Sequence, residues 1–187
     1  MAIYYAARET FDKGTDKDGK NWNSYIAWRG FTHLSEVISL DSLLNKNLIK
    51  IDSYSAEDWE QAVIHDQCVT GLFKTLEPVL SKVRLVEKFN LLAVEIKPAE
   101  ACNDKEPNGF EFAGYDLMDK WFDISSLTNC SGFEQSYSSA DINTYGLIKD
   151  WEQAYRIKEK LLETNSGHPH SDTHVIAVWR HKTIGRP

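Results

Sequence analysis

One short segment, THVIAVWR (173–180), limits the fold of this chain more than any other part of the sequence. Apolar residues occupy both alternating sets of positions in it: Ile176 and Val178 in one set, and Val175, Ala177 and Trp179 in the other. Because successive side chains of a strand point to opposite faces of a sheet, this pattern predicts a central strand that is covered on both faces. The chain therefore needs a sheet with a layer packed on each side.

Three further segments have a clear pattern. FNLLAVEIK (89–97) and FEFAGYDLMD (110–119) predict strands, and residues 150–164 predict a helix with one apolar face that ends at TNSG. The pentapeptide DWEQA occurs twice, starting at Asp58 and at Asp150. In both places the aspartate is predicted to be the N-cap of a helix, since a glutamine follows three positions later.

Other segments support less definite predictions. The apolar stretches IYYAARETF and WNSYIAW flank a polar segment with Asp18-Gly19, which predicts a β-hairpin. In residues 55–88, apolar residues recur at intervals of three to four, which predicts two helices or one broken helix. On such a helix Asp66 would face the core, and His65 could meet Cys68. Residues 31–54 mix a short β-branched run with leucine pairs, so helix and strand remain open alternatives there.

Together these elements predict a single α+β domain over residues 1–187, with a largely antiparallel sheet and helices packed on it. A chain of 187 residues buries about 70% of its surface on folding, which supports a core without disulfides or a structural metal. The three cysteines are widely spaced and lack a CxxC arrangement, which favours a reducing compartment.

Charge and hydropathy narrow the functional classes. The net charge of −7 and the pI near 5.4 disfavour nucleic-acid binding. No apolar run approaches the 18 or so residues of a membrane span, and the N-terminal residues lack the pattern of a signal peptide. The sequence thus predicts a cytoplasmic protein without nucleic-acid or membrane partners.

The most conspicuous polar segment is HPHSDTH (168–174). It overlaps the start of THVIAVWR at Thr173 and His174. If it is extended, four potential metal ligands lie on one face of the chain: His168, His170, Asp172 and His174. Imidazole and carboxylate groups are ligands that zinc and other divalent metals accept. The segment also contains turn-forming Ser-Asp, so a polar loop without metal is the alternative.

A second group of candidates surrounds the predicted strand at 110–119. Tyr115, Asp116, Asn129 and Cys130 could line a pocket for a small molecule, with Asp116 as a charged contact and Cys130 as a nucleophile. The same polar residues could equally form a turn that satisfies its own backbone.

No P-loop, GxGxxG, GxSxG or HExxH motif occurs, which removes the commonest nucleotide-binding and hydrolase signatures. The leading hypothesis is therefore a non-catalytic binding protein, of the immunity or antitoxin kind, with a basic protein partner. Its predicted contact surface is the acidic loop 125–146 with exposed Tyr137 and Tyr145. The alternatives are a metal-dependent hydrolase centred on His168, His170, Asp172 and His174, and a small-molecule-binding domain.

Overall fold

The computed structural model describes residues 2–14, 20–128, 133 and 136–186. The helices and strands, in chain order, are β1 (Tyr4–Arg8), β2 (Phe11–Asp12), α1 (Lys20–Arg29), β3 (Glu36–Val37), α2 (Ala56–Gln61), β4 (Ala62–His65), β5 (Cys68–Phe73), α3 (Glu77–Val83), β6 (Asn90–Ile96), β7 (Phe110–Asp119), α4 (Trp151–Thr164) and β8 (Thr173–His181). Short 3₁₀ turns lie at Ile51–Ser53 and Ser139–Asp141.

Six strands form one sheet in the order β4-β5-β1-β6-β8-β7, and β2 and β3 form a separate ribbon. All pairings between neighbouring described strands are antiparallel. Helices α3 and α4 pack on the main sheet, through β1 and through β7 and β8 respectively. The predicted α+β class with a largely antiparallel sheet is confirmed.

The last strand, β8, lies inside the sheet between β6 and β7. Val175, Ala177 and Trp179 belong to the larger core, together with residues of α3 and α4, and all three are at most 1% exposed. Ile176 and Val178 belong to a second core on the opposite face. The prediction of a strand that is covered on both faces is therefore confirmed.

The helix predicted at 150–164 is also confirmed. The Asp150 carboxylate accepts a hydrogen bond from the Gln153 backbone N–H at 2.9 Å, which is the expected N-cap geometry. Ala154, Ile157 and Leu161 are the buried residues of this helix, spaced so that they lie on one face.

Among the described residues, irregular chain covers the second face of the sheet, and no helical residue belongs to the core on that face. Ile38 and Leu40 are at most 1% exposed and pack there with Leu147 and Phe122. Two of these covering residues, Ile38 and Leu40, come from residues 31–54, whose sequence left helix and strand open. Side chains buried by irregular backbone have no fixed period, which explains why no periodicity was visible.

The predicted strand at 22–28 is wrong, because these residues lie in helix α1. Trp22 and Tyr25 are buried and three residues apart, on one helical face, and both rings lie 5.5 Å from the ring of Phe11. Trp28, which a strand would place on the same face as Trp22, is 46% exposed. The predicted turn at Asp18-Gly19 lies outside the described residues.

The predicted helical stretch at 55–88 is only partly correct. Helices α2 and α3 lie near its two ends, but β4 and β5 form a hairpin between them. Val63, Val69 and Phe73, which were assigned to the helical pattern, lie six and four residues apart on two strands joined by a two-residue turn, so the helical assignment was wrong there.

The predicted N-cap at Asp58 is displaced by three residues. Ser55 is the N-cap, and Asp58 occupies the third helical position, where its carboxylate accepts from the Ser55 backbone N–H at 2.6 Å. Asp58 also forms an ion pair with Lys82 of α3 at 2.8 Å. The two DWEQA copies thus begin their helices in different registers.

Candidate functional site

Two histidines that are 109 residues apart in the sequence meet at one end of the sheet. Nε2 of His65, at the end of β4, lies 3.1 Å from Nε2 of His174 in β8. Three strands separate β4 from β8 in the sheet order, which would put them roughly 19 Å apart in a flat sheet. The sheet must therefore curve strongly, so that the β4–β5 hairpin approaches β8.

Asp66 adds a carboxylate to this pair. Its Oδ2 lies 3.6 Å from Nε2 of His65. One ligand atom from each of His65, Asp66 and His174 lies within 4.8 Å of the others, and no other such group of three histidine, cysteine or acidic residues occurs in the described chain. We call these three residues the ligand cluster. Its exposure increases from His174, which is 8% exposed, to Asp66, whose side chain is 70% exposed.

The ligand cluster is surrounded by strained backbone. Four non-glycine residues of the described chain have positive φ: Asp66 (47°), Gln67 (67°), Lys97 (53°) and Phe122 (60°). Asp66 and Gln67 form the turn between the paired residues His65 and Cys68, and the Lys97 N–H donates to the carbonyl of Val175, the neighbour of His174. Such conformations cost free energy and are concentrated at functional sites in folded proteins.

Phe122 forms the inner wall of the cluster. Its ring centroid lies 5.1 Å from that of His65 and 5.5 Å from that of His174. Phe122 is 4% exposed and belongs to the core of the second face. Both imidazoles therefore contact an apolar ring, and His65 also lies near the Asp66 carboxylate.

Burial determines the charge of His174. Burial, together with smaller electrostatic effects of Lys97 and His65 in the same direction, lowers the pKa of this imidazole to about 4. At neutral pH His174 is uncharged and one ring nitrogen carries a free lone pair, which is the form that binds metals.

The geometry suits either a hydrogen bond or a shared cation. One ring N–H can donate across the 3.1 Å distance. Two imidazole nitrogens bound to one tetrahedral zinc are separated by roughly 3.3 Å, because each Zn–N bond is about 2.05 Å long. Little movement of the two rings is thus needed to admit a metal ion between them.

The four ligands predicted from HPHSDTH are not brought together. His170 Nδ1 lies 2.8 Å from the fully buried Asp119 carboxylate, and His168 packs on Phe133 with ring centroids 5.0 Å apart. Asp172 is exposed. Of the four, only His174 belongs to the ligand cluster, and its partners come from the β4–β5 hairpin.

The predicted pocket residues Tyr115 and Asp116 are both 0% exposed. The Tyr115 hydroxyl accepts from the Cys102 backbone N–H at 2.8 Å. Neither residue lines the cavity of about 740 Å³ that lies against Phe11 and Tyr25. Asn129 and Cys130 lie outside the described residues.

Asp116 belongs to a buried polar network. Ser39 Oγ donates to its Oδ2 at 2.5 Å, Ser125 Oγ donates to its Oδ1, and the Leu117 N–H donates to Oδ1 at 2.8 Å. Burial raises the pKa of the Asp116 carboxyl, while the two serine hydroxyls act in the opposite direction. Asp116 thus connects β7 to the segments around residues 39 and 125.

Neither predicted contact tyrosine is exposed in the way that the interaction hypothesis assumed. Tyr137 is 6% exposed and accepts a hydrogen bond from Arg29. Tyr145 is half-buried, with the Arg180 guanidinium 4.8 Å from its ring centroid. Both tyrosines hold the segment 136–148 onto the fold.

His65 and Asp66 were not among the predicted site residues, because the pattern of residues 55–88 placed them on a helix. The available signal was local: two β-branched pairs, Val63-Ile64 and Val69-Thr70, flank the polar segment His65–Cys68. The turn itself lacks the usual Asn-Gly or Asp-Gly sequence, so the signal was incomplete.

Replacing Gln67 by glycine is expected to raise the free energy of unfolding by about 1 kcal/mol, because glycine adopts positive φ without the strain that glutamine has there. Urea denaturation of the variant and of wild type would measure this difference. Gln61→Gly, in a helical position with ordinary φ, is the matched control and is expected to destabilise the chain. A destabilised Gln67→Gly variant would contradict the strained turn.

None of the helices in the described part of the chain has the length and apolar character of a membrane-crossing helix. The chain matches no protein family, no curated protein and no solved structure. Its function must therefore be argued from the site itself.

Proposed function

We propose that this protein binds a divalent transition metal, zinc in the first place, through His65, Asp66 and His174, and that it acts as a metal-dependent hydrolase. The observation that carries the proposal is the 3.1 Å approach of the two Nε2 atoms beside a carboxylate. The strained residues around the cluster support it, because they hold these groups together at a cost in stability.

The chemistry of the three groups fits zinc. Two imidazoles and one carboxylate are the protein ligands of many catalytic zinc sites, in which a fourth position is left for water. Asp66 is the most exposed of the three, so water would reach a metal that these residues held. A metal in this position would lower the pKa of its bound water to about 7 and supply hydroxide for hydrolysis.

Two features predict an affinity below that of the tightest zinc sites. His174 Nδ1 is buried without a hydrogen-bond partner among the described residues, whereas metal-binding histidines usually donate from their second nitrogen. Lys97 and Lys158 also place positive charge near His174. Loss of such second-nitrogen contacts typically lowers affinity by about 10- to 100-fold.

Metal content of tag-free protein, measured by elemental mass spectrometry after zinc loading and dialysis, tests the site. We expect about one equivalent of zinc in wild type, and loss of at least about 100-fold in affinity in His65→Ala and in His174→Ala, since each removes a ligand. Asp66→Asn is expected to bind more weakly, because the negative charge is lost.

His168→Ala and His170→Ala are the matched controls. Both belong to the HPHSDTH segment but lie outside the ligand cluster, so both variants are expected to keep the metal. Zinc lost in His168→Ala and kept in His65→Ala would instead favour the ligand set predicted from the sequence. Zinc kept in both His65→Ala and His174→Ala would rule out the cluster.

Hydrolysis is tested separately with chromogenic carboxylic esters and phosphate esters. We expect turnover by the zinc-loaded wild type, with a rate that rises with pH near the pKa of metal-bound water, and none by His174→Ala. Equal rates in wild type and His174→Ala, or rates unchanged by a chelator, would reject the hydrolase function. Metal binding is tested independently by the metal content of the variants.

A second function is favoured by the net charge of −7: binding of a basic protein partner by the acidic surface. Capture of a basic protein that is released by moderate salt would support this function, since exposed charge contacts are screened by salt. Retention of that partner in His65→Ala would separate this role from the metal site.

A further inference from the structure

The sheet divides around Arg8, at the end of β1. Strand β1 pairs with β5 at Tyr5 and Phe73, but at Arg8 the neighbouring backbone on that side is Asn47. Leu48 N–H donates to the Ala7 carbonyl at 3.1 Å and Glu9 N–H donates to the Lys46 carbonyl at 2.9 Å, which inserts residues 46–48 beside β1. We call the point where β5 separates from β1 the fork.

The Arg8 side chain lies in this fork and is almost completely buried, with 2% exposure. The guanidinium has few polar contacts among the described residues: Nη2 donates to the Thr70 carbonyl at 3.4 Å, which is long for a hydrogen bond, and buried Nε has no partner there. No carboxylate oxygen in the described chain lies within 4.0 Å of the guanidinium.

A buried guanidinium without a counter-charge is rare, because removing an ion from water costs free energy that only a partner can offset. Burial lowers the pKa of Arg8 to about 10, so the group remains a cation at neutral pH. Asp41 and Asp123 are the carboxylates that act on it, from beyond ion-pair distance.

Two further hydrogen-bond donors lie near the fork: the Asn47 amide beside β1, and the hydroxyl of Tyr54, whose ring centroid is 5.3 Å from that of Phe73 in β5. The Tyr54 hydroxyl is buried without a partner in the described chain, and Tyr54 and Arg8 act electrostatically on each other. A Cβ placed on Gly71 would lie 2.3 Å from Asn47 Nδ2 and 3.4 Å from Arg8 Nη2, so these two nitrogens are within 5.7 Å of each other, the sum of the two distances.

The fork therefore contains several hydrogen-bond donors, and the Thr70 carbonyl is the backbone acceptor that Arg8 contacts there. The group that complements it is an acceptor that carries negative charge. An anion about 3 Å from each donor can accept from more than one of them at once, and it compensates the guanidinium charge. We infer that the fork at Arg8 and Tyr54 is a binding site for a small monovalent anion, with chloride as the first probe.

Thermal unfolding in sodium chloride, against sodium gluconate at the same ionic strength, tests the inference. We expect the melting temperature of wild type to rise with chloride and to saturate, by roughly 5 °C when chloride is at 100 times its dissociation constant. Arg8→Met is expected to show no chloride dependence. Arg84→Met, which removes an exposed arginine, is the matched control and is expected to respond as wild type does.

Tyr54→Phe keeps the ring and removes only the unpartnered hydroxyl, so it provides a test even if Arg8→Met does not fold. We expect it to weaken the apparent chloride affinity by about tenfold. Bromide soaked into crystals is expected to give an anomalous peak between Arg8 and Tyr54. A flat chloride titration of wild type, equal responses of Arg8→Met and Arg84→Met, or bromide only elsewhere as an adventitious ion would overturn the inference.

Discussion

Replacing Asp116 by alanine is expected to lower the free energy of unfolding by about 3 kcal/mol. The carboxylate accepts from the hydroxyls of Ser39 and Ser125 and from the Leu117 N–H, and it is 0% exposed. Alanine leaves these three donors buried without an acceptor, and each unsatisfied donor costs about 1 to 3 kcal/mol. Guanidinium denaturation at pH 7 would measure the loss.

Asp116→Asn is the control, since asparagine keeps the size of the side chain and one carbonyl acceptor. Burial raises the pKa of the Asp116 carboxyl, so the neutral amide avoids the cost of a buried charge. We expect this variant to stay within about 1 kcal/mol of wild type. An alanine variant as stable as the asparagine variant would show that the network contributes little.

The second large effect concerns acid. The pKa of His174 is lowered to about 4 in the folded protein from its ordinary value of 6.5. Between these two values the unfolded chain binds a proton that the folded chain does not, so stability falls as the pH decreases from 6.5 to 4. Each pKa unit corresponds to about 1.4 kcal/mol, so the loss over this window is about 3 kcal/mol.

The comparison with His174→Gln isolates this contribution from that of other groups. Asp116, whose pKa is raised, acts in the opposite direction and stabilises the fold as the pH falls through its raised pKa. This contribution is common to both proteins and cancels. In the presence of a chelator, we expect the stability of wild type to fall by about 3 kcal/mol more than that of the variant between pH 6.5 and 4. Parallel pH profiles would contradict the lowered pKa.

The elements that the sequence predicted correctly share one property: their pattern is set by burial in regular structure. Strands 89–97 and 110–119 and helix 150–164 each have apolar residues at the period of their own backbone. In the segment 173–180, apolar residues in both alternating sets indicated two covered faces, and both cores are present.

The errors arose in short elements, whose few apolar residues do not distinguish the spacing of a helix from that of a strand. Trp22 and Tyr25 are the buried residues of a helix of 10 residues. So short a helix shows little periodicity, and its aromatic residues favoured a strand prediction. The β4–β5 hairpin showed the reverse error, because its apolar residues were assigned to a helical pattern that continues only on either side of it. Local pattern does not distinguish these cases when the tertiary partner decides the outcome.

The ligand cluster could not be predicted for a different reason. His174 was among the predicted ligands, but its partner His65 is 109 residues away and reaches it only because the sheet curves. The other two histidines of the HPHSDTH segment have different partners: His170 contacts Asp119, and His168 packs on Phe133. Proximity in sequence was a poor guide to proximity in the fold.

The interior position of β8 has a consequence for how the chain assembles. Strands β6 and β7 are not neighbours, and each pairs with β8. Until residues 173–181 are available, both strands present unpaired backbone edges, which are templates for association between chains. Shortened forms that end before Thr173 should therefore aggregate, and during synthesis the sheet can close only after its last strand has been made.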